Sequence, residues 1–189
     1  HHSIHDIAVL RAINNIDIII PADNFETREA IKSAVNYKRP LFIRFGKKPM
    51  MNLHTSNHNF KIGHGIKLKS GNDLVIVSTG ETVNRAFKAC EILEKLNINC
   101  TLISMHTIKP FDEDILLNSL PKAKGVLTIE EHSVSGGLCE KCASILSQKN
   151  IHLPFKIIGF PDEYMVNGSQ NDVLEVLPKL PKFVAKPTY

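Results

Sequence analysis

Apolar residues recur in two rhythms along the chain. IDIII (residues 16–20) and PLFIRF (residues 40–45) are short, β-branched or aromatic runs, the composition that buried parallel strands require. Around them the spacing is helical. Residues 3–13, with Ile4, Ile7, Ala8 and Leu10 or Arg11 marking its faces, predict one helix, and a second begins at Asp23. There D-x-x-E (Asp23, Glu26) has the form of a capping box, in which the aspartate accepts early backbone N–H groups and the glutamate reaches back. Pro21 ends the strand before it.

Residues 47–65, KKPMMNLHTSNHNFKIGHG, are polar, contain Asn, His, Gly and Pro, and keep no period, so they read as a linker. The alternation then resumes. Strands are expected at 73–78 (DLVIVS), 98–105 (INCTLISM), 125–130 (GVLTIE) and 155–159 (FKIIG), with helices at 81–96, 112–120 and 137–146. Val83, Ala86, Phe87, Cys90 and Leu93 share one face of the first of these helices, as an element packed on a sheet demands. The pattern predicts an α/β fold: a mostly parallel sheet with helices on both faces and right-handed crossovers. The organisation is a partial α/β unit at 1–46, a linker at 47–66 and a larger domain at 67–189, whose Pro-punctuated tail LPKLPKFVAKPTY is expected to run extended. Two helices and two strands cannot cover both faces of a parallel sheet. The first unit therefore packs on the second domain, or is the back half of a domain whose front half is not in this sequence.

Composition narrows the function classes. A chain of 189 residues with 43% hydrophobic and 22% charged residues can bury a core, and no stretch has the apolar length of a membrane span or the layout of a signal peptide. The expectation is a cytoplasmic protein with no membrane partner. The net charge of +4 is spread among acids and accompanied by only 6% aromatics, which favours phosphorylated small molecules over nucleic acid. Four cysteines, Cys90, Cys100, Cys139 and Cys142, are too few for a disulfide framework and point to a reducing compartment.

HHSIHDIAVLRAINNIDIIIPADNFE resembles the segment of transketolase-like enzymes that opens on Thr-His and continues through Leu-Arg to Pro-Ala-Asp-x-x-Glu. The likeness runs on through RPLFIRFGKKP and, in family order and spacing, VIVSTG, MHTIKPFD and TIEEHSVSGGL. It is similar above all to the C-terminal subunits of split transketolases, and more distantly to 1-deoxyxylulose-5-phosphate synthase and the β subunits of oxoacid dehydrogenases. The resemblance implies the back of a pyrimidine-binding domain followed by a transketolase C-terminal domain. It further implies an enzyme using thiamine diphosphate and Mg2+ to move a two-carbon ketol unit between sugar phosphates. The family's diphosphate and metal motif, G-D-G…N, does not occur in the sequence, and the segment that carries the activating glutamate belongs before residue 1. The chain is thus expected to be a fragment or one part of a larger subunit, inactive alone. Its expected partner is a thiamine-diphosphate-binding domain or N-terminal subunit, in a homodimer or heterotetramer. The rival reading from another class is a non-catalytic dimerisation or regulatory module.

Site residues follow from the same resemblance. His1 aligns with the histidine of the Thr-His pair, which contacts substrate hydroxyls, work that suits an imidazole titrating near neutrality. A tag remnant, or His1 and His5 as surface histidines that bind metal adventitiously, are the alternatives; a tag does not explain why residues 3–26 keep the family pattern in register. His2 replaces a glutamine common in the family and receives no role. Lys47 falls where the family has a phosphate-gripping arginine, with Arg44 and Lys48 near enough to contribute; a solvated basic turn is the competing account. Lysine offers a point charge where arginine offers a fork. Asp23 and Glu26 are read as capping residues, Glu130-Glu131-His132 as a hydrogen-bonded packing element, SVSGGL as a tight strand-to-helix turn, and Cys139 and Cys142 as core thiols.

Overall fold

The computed structural model describes residues 3–46, 50–54 and 58–163. His1, His2, Lys47, Lys48 and the Pro-rich tail lie outside the described residues. The elements run α1 (Asp6–Ala12), β1 (Asp17–Ile19), α2 (Asn24–Ala34), β2 (Leu41–Ile43), β3 (Ile66–Lys69), β4 (Leu74–Ser78), α3 (Thr82–Glu94), β5 (Cys100–Ser104), β6 (Thr107–Lys109), α4 (Glu113–Leu117), β7 (Val126–Ser133), α5 (Leu138–Gln148) and β8 (Phe155–Phe160). The main sheet has the order β3-β5-β4-β7-β8, parallel except for the β3 edge, which pairs antiparallel with β5.

Side-chain alternation along β4 explains the two-faced packing. Val75 and Val77 point into a core completed by Leu116 of α4 and by Leu138, Cys142, Ile145 and Leu146 of α5. Ile76 points the other way, against Ala86, Cys90 and Leu93 of α3. Each face is thus covered by helices, and the strands are apolar on both sides for that reason.

The size problem of the first forty-six residues is resolved by sharing. β1 pairs in parallel with β2 and antiparallel with β6, a short strand of the larger domain, making a second three-stranded sheet. Ile7, Ile18 and Ile20 enter the same core as Val75 and Leu138. Lys109 of β6 donates from Nζ to the carbonyls of Ile13, at 2.5 Å, and Arg11, at 3.2 Å, closing the C-terminal end of α1 with a cation where the helix dipole favours one.

The segment expected as a linker is packed at its described residues. Leu53 donates its N–H to Asp23 Oδ2 at 2.8 Å, Phe60 stacks on His106 with ring centroids 4.2 Å apart, and β3 begins at Ile66 inside it. α1 starts at Asp6 rather than at residue 3, and upstream of it the Ile4 carbonyl accepts from Ser133 N–H of β7 at 2.8 Å instead of from the helix.

Candidate functional site

Open α/β sheets collect their chemistry beyond the C-terminal ends of the strands, and here three such ends meet. Ile20, after β1, donates to His106 O at 2.7 Å and accepts from Gly80 N–H, after β4, at 3.2 Å. Gly80 has φ +59, and a Cβ there would lie 2.7 Å from Ile20 Cγ2, so only glycine permits this approach.

Inside the junction lies a buried polar cluster built on the start of α2. Asp23 Oδ1 accepts from Glu26 N–H at 2.9 Å, the N-cap bond that the sequence predicts. Glu26 does not return the bond to Asp23; its Oε2 accepts from Ala22 N–H at 2.7 Å and its Oε1 from Ser104 Oγ at 2.6 Å. His54 closes the cluster, its Nδ1 donating to Asp23 Oδ2 at 2.7 Å and its Nε2 standing 3.0 Å from Glu26 Oε1. Its ring stacks on Phe25 at 5.1 Å and meets His58 edge-on at 5.2 Å.

Burial alone would pull the His54 pKa down, but its contacts with Asp23 and Glu26 outweigh that and push it up to about 9. Burial would likewise raise Asp23; the hydrogen bonds from His54 and from the Glu26 and Leu53 amides hold it at about 2. His106, nearby and fully buried, behaves oppositely: burial drives it down to about 4, with the charge of His54 adding to the effect. Its Nδ1 lies 2.9 Å from Thr107 Oγ1, and its Nε2 has no hydrogen-bond partner among the described residues. A neutral ring is the form such a position tolerates.

These two histidines predict a dome in stability against pH. His54 is raised on folding, so its contribution is complete below the unfolded value near 6.5 and is lost as pH climbs through about 9. His106 is depressed, so the folded protein refuses a proton that the unfolded chain takes up, and stability falls from pH 6.5 down through about 4. Asp23 adds a further loss toward pH 2. Denaturant midpoints across pH 4–9 should therefore peak near 6.5. His54→Gln should flatten the alkaline limb and His106→Gln the acid limb; unchanged limbs would refute the assignment.

A second group binds α1 to the larger domain. Arg44, just past β2, is paired with Asp6 at 3.3 Å and Glu131 at 3.8 Å, and its side chain is 19% exposed. His132, buried, accepts from Ala8 N–H through Nε2 at 3.3 Å while its Nδ1 lies 2.8 Å from Ser133 O. Arg11 donates to the carbonyls of Gly136 and Gly137. Gly136, with φ +81, faces Ala8 so closely that a Cβ has no room. Glu130 accepts from Leu138 and Cys139 N–H at 2.8 and 2.9 Å, capping α5 from the preceding strand. Burial and the Glu130 carboxylate push both Cys139 and Cys142 above the usual thiol range. The packing roles expected of the Glu-Glu-His run, the SVSGGL turn and the two cysteines are thus what the structure contains.

Of the predicted substrate residues, the structure places Arg44 at this rim; His1 and Lys47 lie outside the described residues. His54 was not legible, since nothing in NLHTSNH distinguishes a buried ligand of Asp23 from a loop histidine. Asp23 and Glu130 cap helices, Glu26 accepts from Ala22 N–H and Ser104 Oγ, and Asp17 holds Tyr37 Oη at 2.5 Å and Arg39 at 3.0 Å. No group of His, Cys, Asp and Glu among the described residues fits a metal ion.

Residues 1–51 match the transketolase pyrimidine-binding domain and residues 63–178 the transketolase C-terminal domain. The chain is 34% identical over 174 residues to an apulose-4-phosphate transketolase subunit of Phocaeicola vulgatus, covering 92% of this chain and 55% of that one. It is 33% identical over 177 residues to a transketolase C-terminal section of Methanocaldococcus jannaschii, covering 93% and 55%. A solved split-gene transketolase, described as an inactive β4 tetramer, superposes with a TM-score of 0.83 at 31% identity over 90% of this chain and 56% of its own. The chain spans about half the length of these relatives. With both matches in family order and the C-terminal one covering most of the sequence, the chain belongs to the transketolase family.

Proposed function

We propose that this chain supplies the C-terminal part of a thiamine-diphosphate-dependent transketolase that moves a two-carbon ketol unit between sugar phosphates. The observation that carries the reading is the ordered match of both regions to split-transketolase subunits over nine-tenths of the chain. The cofactor and Mg2+ belong to a complete assembly with an N-terminal, thiamine-diphosphate-binding subunit or domain, as a homodimer or heterotetramer in the cytoplasm. Thiamine diphosphate supplies the nucleophilic carbon when bound. This chain contributes His1 toward the substrate hydroxyls and Lys47 toward the terminal phosphate. Arg44, paired with Asp6 and Glu131, is close enough in sequence to contribute to the same phosphate.

Calorimetry with thiamine diphosphate and Mg2+ tests the division of labour. The isolated chain should show no tight binding and no ketol transfer, whereas the complete enzyme, with the segment before residue 1 and the diphosphate-binding subunit or domain, should show both. Submicromolar binding by the chain alone would overturn it.

Within the complete enzyme, Lys47→Ala should raise KM for phosphorylated sugars far more than for unphosphorylated ones. Losing one charge-assisted contact costs roughly 1.5–3 kcal/mol, about ten-fold or more. Equal changes with both substrate types would make Lys47 a bystander.

A further inference from the structure

At the end of the main sheet away from the junction, a cleft of about 360 Å3 opens between the β3 edge and the residues that follow α4, a size that suits a small molecule. Strand alternation explains its floor. Cys100 and Leu102 of β5 turn toward α3 and Ile103 turns the other way, so Thr101 lies on the α4 side and lines the cleft. Thr101 is 3% exposed, and its Oγ1 accepts from Gly71 N–H at 3.0 Å and donates to Gly71 O at 2.8 Å. A Cβ on Gly71 would lie 2.4 Å from the Asn99 carbonyl, so glycine lets the turn between β3 and β4 lie against the start of β5. Asp73 continues the attachment, donating its N–H to Asn99 O at 2.9 Å and accepting from Asn99 N–H through Oδ2 at 2.8 Å. That wall is ordered by the fold itself, so a ligand has little ordering cost to meet there.

Lys67 of β3 and Lys122, after α4, line the cleft from its two sides, and no Asp or Glu lines it. Lys69, Lys124 and Lys141 each pair with a carboxylate; Lys67 and Lys122 have no such partner among the described residues. The end of α4 does not supply one either. Its carbonyls at Asp114, Leu116 and Leu117 already accept from the N–H groups of Asn118, Ser119 and Leu120, and that of Ile115 accepts from Ser119 Oγ.

We infer that this cleft binds a small phosphorylated polyol, with Lys67 and Lys122 on the phosphate and Ser70, Asn72 and Asn118 on the hydroxyls. Two ammonium groups without a carboxylate match a phosphate dianion in sign and number. The amide and hydroxyl side chains both donate and accept, as a polyol requires. The lining has no aromatic ring, and so no platform on which a nucleobase would stack. The site is separate from the proposed catalytic region: it adjoins the start of β5, whereas Ser104 at the other end of that strand bonds Glu26 in the junction.

The test follows amide chemical shifts of the full chain as glycerol phosphate, inorganic phosphate or glycerol is added. Glycerol phosphate should move the amides of residues 67, 70–72 and 118–122 saturably, with a dissociation constant on the order of 1 mM. Inorganic phosphate should move the same amides but bind several-fold more weakly, and glycerol should do nothing. Lys67 and Lys122 are exposed, so Lys67→Ala and Lys122→Ala should keep the fold while each weakens binding about ten-fold or more. Lys95→Ala, at the exposed end of α3, should bind as the parent chain does. Lys47→Ala should do the same, which separates this cleft from the phosphate contact of the catalytic reading. Shifts that do not saturate, or a Lys95→Ala loss as large as that of Lys67→Ala, would overturn the site. Glycerol phosphate binding no tighter than inorganic phosphate would overturn the polyol assignment.

Discussion

Glu26→Ala should be among the most destabilising single substitutions in the described structure. The carboxylate is 0% exposed and touches three groups at once: Ala22 N–H, Ser104 Oγ and the His54 ring. Truncation leaves a buried amide and a buried hydroxyl without this acceptor, and leaves a charged imidazole with Asp23 alone. Removing one partner of a buried pair costs on the order of 3–5 kcal/mol, which for a domain of this size is a fall in Tm of roughly 10 °C. Glu26→Gln keeps the shape and one acceptor oxygen but loses the charge, so it should lie between. Glu29, on the same helix, pairs with Lys32 at 2.7 Å on the surface, and Glu29→Ala should cost under about 0.5 kcal/mol. Thermal unfolding of the three variants decides the matter; a Glu26→Ala loss no larger than that of Glu29→Ala would sink this account of the junction.

That contrast also marks how far the sequence could be read. D-x-x-E identified Asp23 and Glu26 and the start of α2, because a helix N-terminus is a local problem with a local solution. Where the glutamate's oxygens go is not local: Ser104 lies seventy-eight positions away, and no spacing rule reaches it. The same division holds for the strands. β4 (LVIVS) and β5 (CTLIS) are mostly apolar runs and β7 opens as one (VLTI), so all three are legible as strands. β3, IKLK, is a half-exposed edge inside a polar stretch, and β6 is three residues long, too short for any period to register. Yet β6 is what joins the N-terminal strands to the main part of the chain, and nothing in its three residues marks that pairing. At the rim, the Glu130-Glu131-His132 run is visible as a cluster at a strand end. That Glu130 caps α5, Glu131 meets Arg44 and His132 receives the amide of Ala8 depends on tertiary placement.

The largest effect on activity is expected at the very start of the chain. From Ile4 onward the segment is fastened to the larger domain: Ile4 O accepts from Ser133 N–H at 2.8 Å, Ala8 N–H reaches His132, and Arg11 reaches the Gly136 and Gly137 carbonyls. In the proposed reading this anchoring supports His1 as it meets the substrate hydroxyls in a cleft completed by the partner subunit. His1→Ala in the complete enzyme should then lower kcat/KM by a factor on the order of 10²–10⁴, the usual consequence of losing a positioned acid-base group. Thiamine diphosphate affinity and Tm should change little, because neither depends on that side chain. His2→Ala should have a small effect. His5, whose ring stands 6.5 Å from that of His132, is a packing neighbour, so His5→Ala should show more in Tm than in turnover. The three variants assayed side by side separate a substrate contact from a general disturbance of the terminus. If His1→Ala retains near wild-type turnover, the substrate-contact role fails while the family assignment stands.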